Sequence, residues 1–495
     1  MAAGGYFDGR GLASALCYGA QAIWVGTRFM LTPEANTHRL YKEKLLRASA
    51  DDTTVTKCFT GARLRVLRND YTQKFEENPE LLEKNSAMIA KRAWDDGVWR
   101  LHGGNAHDYD DSKQAYVVGQ NIGAINTLVP AADIVKEMVE VASAILVNVA
   151  SKFTKEDGMV ETPFCKMLGV KTCVMSAGMG GIAGKEMTAA VSKAGGFGTF
   201  GSALDVANLG PEELLKQIQD ISQMSEGKPF GVDILVHGAD GGVMLPLIDA
   251  FAKGGAKAFV SGKGNPAKRV VDLFHERKML VGSIAGKLSH AESAVKAGVD
   301  FVIVQGAEGG GHTGAVALSV LLPLVVDAVG HKVPVIAAGG IYDGRGLASA
   351  LCYGAQGVWV GTRFMMSPEA KTSDEYKARL LKATSDDTCV TKAYTGATMR
   401  VLRNPYVTKY EQNPALLENN SALIARRAWN DGVWKLHSGE PKDFDETNQA
   451  LVTGQNIGAI KSLKPSAEIV KEMNDTAWHV LRDLSRKVRT GGAKL

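Results

Sequence analysis

The sequence predicts an α/β chain built on a (β/α)8 barrel, the TIM barrel, with a C-terminal helical extension and a partial copy of the same barrel ahead of it. Three observations carry this. Short apolar runs alternate with amphipathic segments from Val170 onward. The runs are continuous instead of alternating with polar residues, as strands buried on both faces require. And the chain repeats itself at an offset of 335 residues.

The repeat sets the domain plan. Asp8–Gln21 reads DGRGLASALCYGAQ, and Asp343–Gln356 reads the same. The register holds without a gap through Gly26-Thr27-Arg28-Phe29 against Gly361-Thr362-Arg363-Phe364, Trp94 against Trp429, His102 against His437, and Gly119-Gln120-Asn121 against Gly454-Gln455-Asn456, fading near residue 150. A period this long marks a duplicated domain and not a solenoid. Residues 1–150 match only the C-terminal part of a complete unit at 157–495, because of the run Val333–Ala337 only Met1 and Ala2 have a counterpart. They are therefore expected to be a fragment of a tandem array or of an incomplete gene model. Such a fragment lacks the strands to close a barrel, and is expected either to pack as a partial βα layer against the complete barrel or to stay poorly ordered, since missing strands leave open edges.

In the complete unit the expected strands are Thr172–Ser176, Gly198–Gly201, Phe230–Val236, Ala258–Ser261, Met279–Ser283, Phe301–Gln305, Val333–Ala337 and Gly357–Gly361. Between them lie helical patterns at Lys185–Ala194, Pro211–Met224, Pro266–Glu276 and Ser289–Ala297. Pro211 followed by Glu212-Glu213 is a helix start: proline costs nothing where the N–H is unpaired anyway, and acids suit the positive end of the dipole. Strand and helix in regular alternation argue for the parallel barrel, with a doubly wound open sheet as the alternative.

In a barrel, chemistry belongs to the loops after the C-terminal ends of the strands. Ala338-Gly339-Gly340-Ile341 follows the seventh expected strand and Gly361-Thr362-Arg363 the eighth, the usual place for a phosphate, which glycines let the backbone N–H groups approach. After the sixth strand comes Gln305–Gly314, QGAEGGGHTG, whose three consecutive glycines suggest close approach of the main chain to a flat ligand, with His312 as a proton acceptor or a donor to an anion. The first strand ends in Met175-Ser176-Ala177-Gly178-Met179-Gly180-Gly181. Methionines there suit the face of a polarisable ring, and core packing explains them equally well.

Composition narrows the function classes. At 495 residues, 45% hydrophobic and 22% charged, the chain reads as a soluble globular protein. A net charge of +4 on 57 basic and 53 acidic residues, without a long basic run, argues against a nucleic-acid partner. The basic stretch Arg482–Arg489 reads as a solvated helix face. The apolar run Ala315–Val329 is too short to span a bilayer, and the residues after Met1 do not have the layout of a secretory signal, so no membrane association is expected. Six cysteines, Cys17, Cys58, Cys165, Cys173, Cys352 and Cys389, show no CxxC pairing and read as reduced, mostly buried thiols; no metal site is expected. Ala493-Lys494-Leu495 resembles a peroxisomal address, leaving the cytoplasm and the peroxisome as expected locations.

Taken in order, MSAGMGG (175–181), FGVDILV (230–236), QGAEGGGHTG (305–314), AAGGIYDGRG (337–346) and GTRFMMSPEA (361–370) resemble the nitronate monooxygenase family, the 2-nitropropane dioxygenases. The resemblance runs from about Pro163 to the C-terminus, and the partial copy shares it only from its own AAGG onward. It implies a TIM barrel that holds FMN without a covalent bond and oxidises alkyl nitronates with O2 to a carbonyl compound and nitrite. Carried over by position, the FMN contacts would be Met175, Ser176, Ala177 and Gly178 along the ring, then Asp233, Gln305, Gly310, Gly311, Ala338, Gly339 and Gly340, with Trp359, Val360, Gly361 and Thr362 at the phosphate. His312 matches the family's histidine beside the flavin, a base or substrate ligand. The implied partners are the nitronate and O2, and a homodimer is open. Two positions depart from the pattern. Asp233 stands where many members have asparagine, and Ser176-Ala177-Gly178 replaces the more usual Gln-Ala-Pro; a carboxylate there would disfavour an anionic reduced flavin by like-charge repulsion.

Other readings share parts of this pattern. A flavin-dependent enoyl-acyl-carrier-protein reductase or an NAD(P)H:quinone reductase uses the same barrel with a nicotinamide donor. An inosine-monophosphate-dehydrogenase-type barrel needs a cysteine after strand six, and Gln305–Gly314 has none. A non-catalytic, flavin-free scaffold predicts a colourless protein. The partial copy keeps Gly4-Gly5 and Gly26-Thr27 but no counterpart of Asp233, Gln305, Gly310 or His312, so one flavin per chain is expected.

Overall fold

The computed structural model describes residues 1–82, 85–102, 107, 109–154, 158–201, 210–234, 245–262, 264–417, 420–434, 445 and 447–490. The chain divides into two compact units, with the boundary between Ile145 and Leu146. That boundary falls inside the helix Ala131–Ala150, slightly before the expected one; the expected start of the complete unit at residue 157 lies outside the described residues.

The larger unit holds eight parallel strands, β1 (Val174–Ser176), β2 (Gly198–Gly201), β3 (Phe230–Ile234), β4 (Ala258–Ser261), β5 (Leu280–Ala285), β6 (Phe301–Gln305), β7 (Val335–Ala338) and β8 (Gly357–Val360). The helices between and after them are α1 (Lys185–Lys193), α2 (Pro211–Met224), α3 (Leu245–Gly254), α4 (Lys268–Glu276), α5 (Leu288–Ala297), α6 (Leu318–Val329) and α7 (Gly344–Cys352). Hydrogen bonding runs β1-β8-β7-β6-β5-β4-β3-β2. Met175 bridges to Phe197 just before β2, with Ser176 N donating to the Phe197 carbonyl at 3.1 Å and Phe197 N to the Val174 carbonyl at 3.0 Å. The sheet therefore closes on itself, which settles the barrel against the open doubly wound sheet.

The strand ends differ from expectation for local reasons. Lys171 N and Thr172 N both donate to the Gly195 carbonyl, at 2.9 and 3.0 Å, so this segment is a turn contact and β1 begins only at Val174. Val333 N still donates to Val329 at the end of α6, and β7 begins after Pro334. The expected extension of β3 to Val236 lies outside the described residues.

The barrel interior is packed. Met175, Ala177, Val260, Phe301, Ile303, Ile336, Ala338 and Trp359 form one buried cluster with Phe164 and Leu168 of the helix Pro163–Leu168. Phe164 meets Phe301, at the start of β6, edge-on at 5.3 Å, so this helix closes the N-terminal end. Each such aliphatic or aromatic side chain contributes about 2 kcal/mol by leaving water. The opposite end is left for the loops.

The C-terminal extension adds an antiparallel hairpin, Thr388–Thr391 with Met399–Leu402, to which Gly311–His312 pairs as a third strand. The final helix, Ser466–Thr490, buries Ile469, Val470, Met473, Ala477 and Leu481. Gly344 permits its close approach to α7, since a Cβ there would stand 2.3 Å from the Met473 carbonyl. Arg486, Lys487 and Arg489 are exposed on it, as a solvated face requires.

The smaller unit repeats the later elements. Ala2–Ala3 and Ile23–Trp24 pair as a two-stranded parallel sheet, and Thr53–Thr56 with Leu64–Leu67 repeats the hairpin. It has two apolar cores of its own, one around Phe7, Leu31, Tyr41 and Tyr116 and one around Phe59, Val66, Tyr71 and Phe75. It forms no barrel. Trp24 is 67% exposed where its counterpart Trp359 is 6% exposed inside the closed sheet. All six cysteines are buried and none is joined in a disulfide. No helix among the described residues is long and apolar enough to cross a membrane, and Ala493-Lys494-Leu495 lies outside them.

Candidate active site

At the C-terminal end of the barrel the loops enclose a cavity of about 460 Å³. Its most constrained wall is the loop after β6. The Gln305 side chain donates to the carbonyls of Gly310, at 3.3 Å, and His312, at 3.0 Å, clasping the loop onto its own strand. Gly310 lies against the backbone of Thr453, which a Cβ would approach to 2.6 Å, and Gly311 has φ +69°, a conformation glycine adopts without strain. Arg400 donates twice to the Ala307 carbonyl, at 3.2 and 3.0 Å. Glu308 accepts from Leu318 N at 3.2 and 3.1 Å, at the start of α6, so its role is to anchor the loop to that helix. Burial pushes the Glu308 carboxyl up, against the opposing pull of its backbone donors and Arg400.

His312 ends this loop. Its backbone pairs with Met399 and its Nε2 lies 3.0 Å from the Thr395 hydroxyl oxygen. Across the cavity Asp233, on β3, is 7% exposed, and burial pushes its carboxyl well above the ordinary carboxylate range. Burial works against the charged form of this group, and so against the charge repulsion expected between this aspartate and a reduced flavin. Ala177, Gly178 and Met179 extend from β1 beside it.

The loops after β7 and β8 complete the enclosure. Gly339 and Gly340 have φ of +95° and +73°. Thr362 uses its hydroxyl to accept from Gly454 N at 2.8 Å, tying the β8 loop to the extension. Asn456 donates to the Ile341 carbonyl at 3.2 Å, while its Oδ1 is buried without a hydrogen-bond partner. A buried acceptor left unmade costs about 1–3 kcal/mol, so it calls for a donor from a ligand. A Cβ at Gly361 would find only Ala177 and Met179, both at 3.7 Å, so space remains over that backbone. An apolar lining that includes Ala177, Met179, Ala338 and Trp359, the glycine loops that share it, and an acceptor awaiting a donor fit a flavin nucleotide.

Of the residues expected from sequence, Ala177, Gly178, Asp233, Gln305, Gly310, Gly311, His312, Ala338, Gly339, Gly340, Trp359, Gly361 and Thr362 all line this cavity. Met175, Ser176 and Val360 do not. Met175 points into the barrel core one layer below Ala177. Ser176, one residue on, turns outward and accepts from Thr199 N at 3.1 Å; Val360, paired with it, is likewise buried. Alternation along a strand sends neighbours to opposite faces, so a contiguous run cannot all face one ligand.

Sequence reading missed the other half of the wall. Tyr394, Thr395, Met399, Trp429, Trp434, Val452 and Asn456 come from the extension. The repeated Gly454-Gln455-Asn456 was the available signal. In the smaller unit Thr27 accepts from Gly119 N at 2.8 Å, as Thr362 does from Gly454, and Gly4 and Gly5 have φ of +94° and +80°. Half of the cradle is thus preserved there without the loop that carries His312.

A nitronate monooxygenase family model matches residues 1–141, 161–244 and 239–475. A (3aS,4S,5R,7aS)-5-hydroxy-7a-methyl-1-oxo-octahydro-1H-indene-4-carboxyl-CoA dehydrogenase of Mycobacterium tuberculosis is 40% identical over 294 residues, covering 57% of this chain and 80% of that protein. The nitronate monooxygenase npaC of Metarhizium robertsii is 31% identical over 351 residues, covering 62% and 91%. Among solved structures, FabK from Thermotoga maritima is similar with a TM-score of 0.58 at 32% identity, over 66% of this chain and 99% of that one. A nitroalkane oxidase from Streptomyces ansochromogenes shares the fold, with a TM-score of 0.53 at 22% identity over 67% and 99%. The chain belongs to the nitronate monooxygenase family and is a flavin-dependent oxidoreductase carried on a (β/α)8 barrel.

Proposed function

We propose that this chain binds FMN at the mouth of its complete barrel and oxidises alkyl nitronates with O2, giving a carbonyl compound and nitrite. One observation carries the reading. Among the described residues lining the cavity, His312 is the one basic side chain. A nitronate is an anion with its charge spread over two oxygens. With no Lys or Arg among the described lining residues, an imidazole that donates a hydrogen bond supplies the matching partner for the anion.

Bound FMN supplies the electron-accepting, oxygen-reactive ring. Gly339, Gly340, Gly361 and Thr362 would hold its phosphate end, and Ala177, Gly178 and Asn456 its ring and side chain. The protein's own work is to orient and dry the substrate: Gln305 fixes the loop, His312 binds the anion, and Tyr394, Met399 and Trp434 exclude water on the far side.

The apolar wall from the extension favours a second reading, oxidation of a bulkier carbon skeleton carried as a coenzyme A thioester, in line with the dehydrogenase that is 40% identical. Anaerobic mixing separates the two. Propionate 3-nitronate should bleach the visible flavin band, and admission of O2 should restore it with release of nitrite. Bleaching by an acyl-CoA and not by the nitronate would overturn the first reading in favour of the second, and bleaching by NADPH alone would overturn both in favour of a reductase.

A further inference from the structure

We propose that Thr395 is the positioning residue for His312, setting which ring nitrogen carries the proton. This rests on the reading of His312 as the group that meets the substrate. The Thr395 hydroxyl oxygen accepts from Ala397 N at 3.3 Å, which leaves its own proton to be given away. Three acceptors stand near it: His312 Nε2 at 3.0 Å, the Ala397 carbonyl at 3.3 Å and the Met399 sulfur at 3.9 Å. The nearest, and the best base, is the imidazole. A hydroxyl donating to Nε2 leaves the proton of neutral His312 on Nδ1. When the ring gains a second proton at Nε2, the same hydroxyl rotates and accepts from it, with the Ala397 carbonyl taking the freed O–H.

The smaller unit shows that this hydroxyl does not need the histidine. Thr60, the counterpart of Thr395, forms the same turn, accepting from Ala62 N and donating to the Ala62 carbonyl, both at 3.3 Å. The glycine that follows has φ +76° in one copy and +71° in the other. The turn thus stands in a copy that has no counterpart of His312, and the complete unit brings the imidazole to a hydroxyl already in place. His312 is fixed at both ends, its carbonyl by Gln305 and its ring by Thr395.

The test compares T395V, T395S, T60V and H312A in the full flavin-loaded chain. In the parent, the 15N spectrum of the imidazoles, with His312 assigned from its loss in H312A, should show the Nδ1–H tautomer. T395V should mix the tautomers and lower kcat/KM for propionate 3-nitronate roughly tenfold, as expected for one lost hydrogen bond to a reacting group, mainly through kcat. T395S should restore both. T60V, which removes the same turn hydroxyl in the smaller unit, should leave the tautomer and the kinetics unchanged while reporting any purely structural cost in its melting temperature. An unchanged His312 tautomer in T395V, or an equal kinetic loss in T60V, overturns the inference. If H312A itself keeps full activity, the functional reading fails separately, and the tautomer measurement still decides the role of Thr395.

Discussion

Gly178 lies against Asp233 so closely that a Cβ on it would stand 2.2 Å from the Asp233 Cβ. Both residues line the cavity, one from the end of β1 and one from β3. The absence of a side chain at 178 is therefore what lets Asp233 reach the site. Gly178→Ala is expected to push β3 outward, costing about 1–3 kcal/mol as overpacking does, and to empty the site of flavin. Thermal melts and the visible flavin absorbance of the purified variant check this. Parental values of both would contradict it.

Asp233 leads to a prediction about pH. Its folded-state carboxyl titrates well above the ordinary 3.8 because burial disfavours the charged form. With the folded value raised, the stability this group allows is fully present below the unfolded pKa and is lost as pH rises toward the folded one. Asp233→Asn removes the titration and keeps the shape. The melting-temperature advantage of the variant over the parent should grow as pH rises above about 4, the ordinary carboxylate value. A difference that does not change with pH would show that Asp233 is ionised throughout.

The orphaned Oδ1 of Asn456 makes a specific claim on flavin. Asn456→Ala should weaken flavin binding about tenfold, the value of roughly one hydrogen bond, in a fluorescence titration. The same change at its counterpart Asn121, whose Nδ2 donates to the Tyr6 carbonyl at 3.0 Å, should not alter flavin affinity. Equal losses at the two positions would place flavin in the smaller unit as well.

Much of the barrel was readable because its strands are buried on both faces: the residues of Gly198–Gly201, and of Phe301–Gln305 up to its final glutamine, are apolar or small, and the bounds of both strands agree with expectation. The ends at Thr172 and Val333 were not readable, since turn hydrogen bonds to Gly195 and Val329 take those residues and no local pattern announces that. The glycine loops were legible for the same reason that makes them useful, close backbone approach. The far wall was not. Tyr394, Thr395 and Trp434 look like ordinary core residues in the sequence, and it is the pairing of Gly311 and His312 with Arg400 and Met399 that carries the hairpin to the barrel mouth. Met175, Ser176 and Val360 lie outside the cavity lining, because a family motif is contiguous while side chains along a strand alternate between its two faces.

One complete site is expected in a chain that carries two copies of its C-terminal part. Flavin released from the purified, fully loaded protein and counted against chain concentration tests it most directly. One FMN per chain is the expected result; two per chain, or a colourless protein that takes up none, would contradict it.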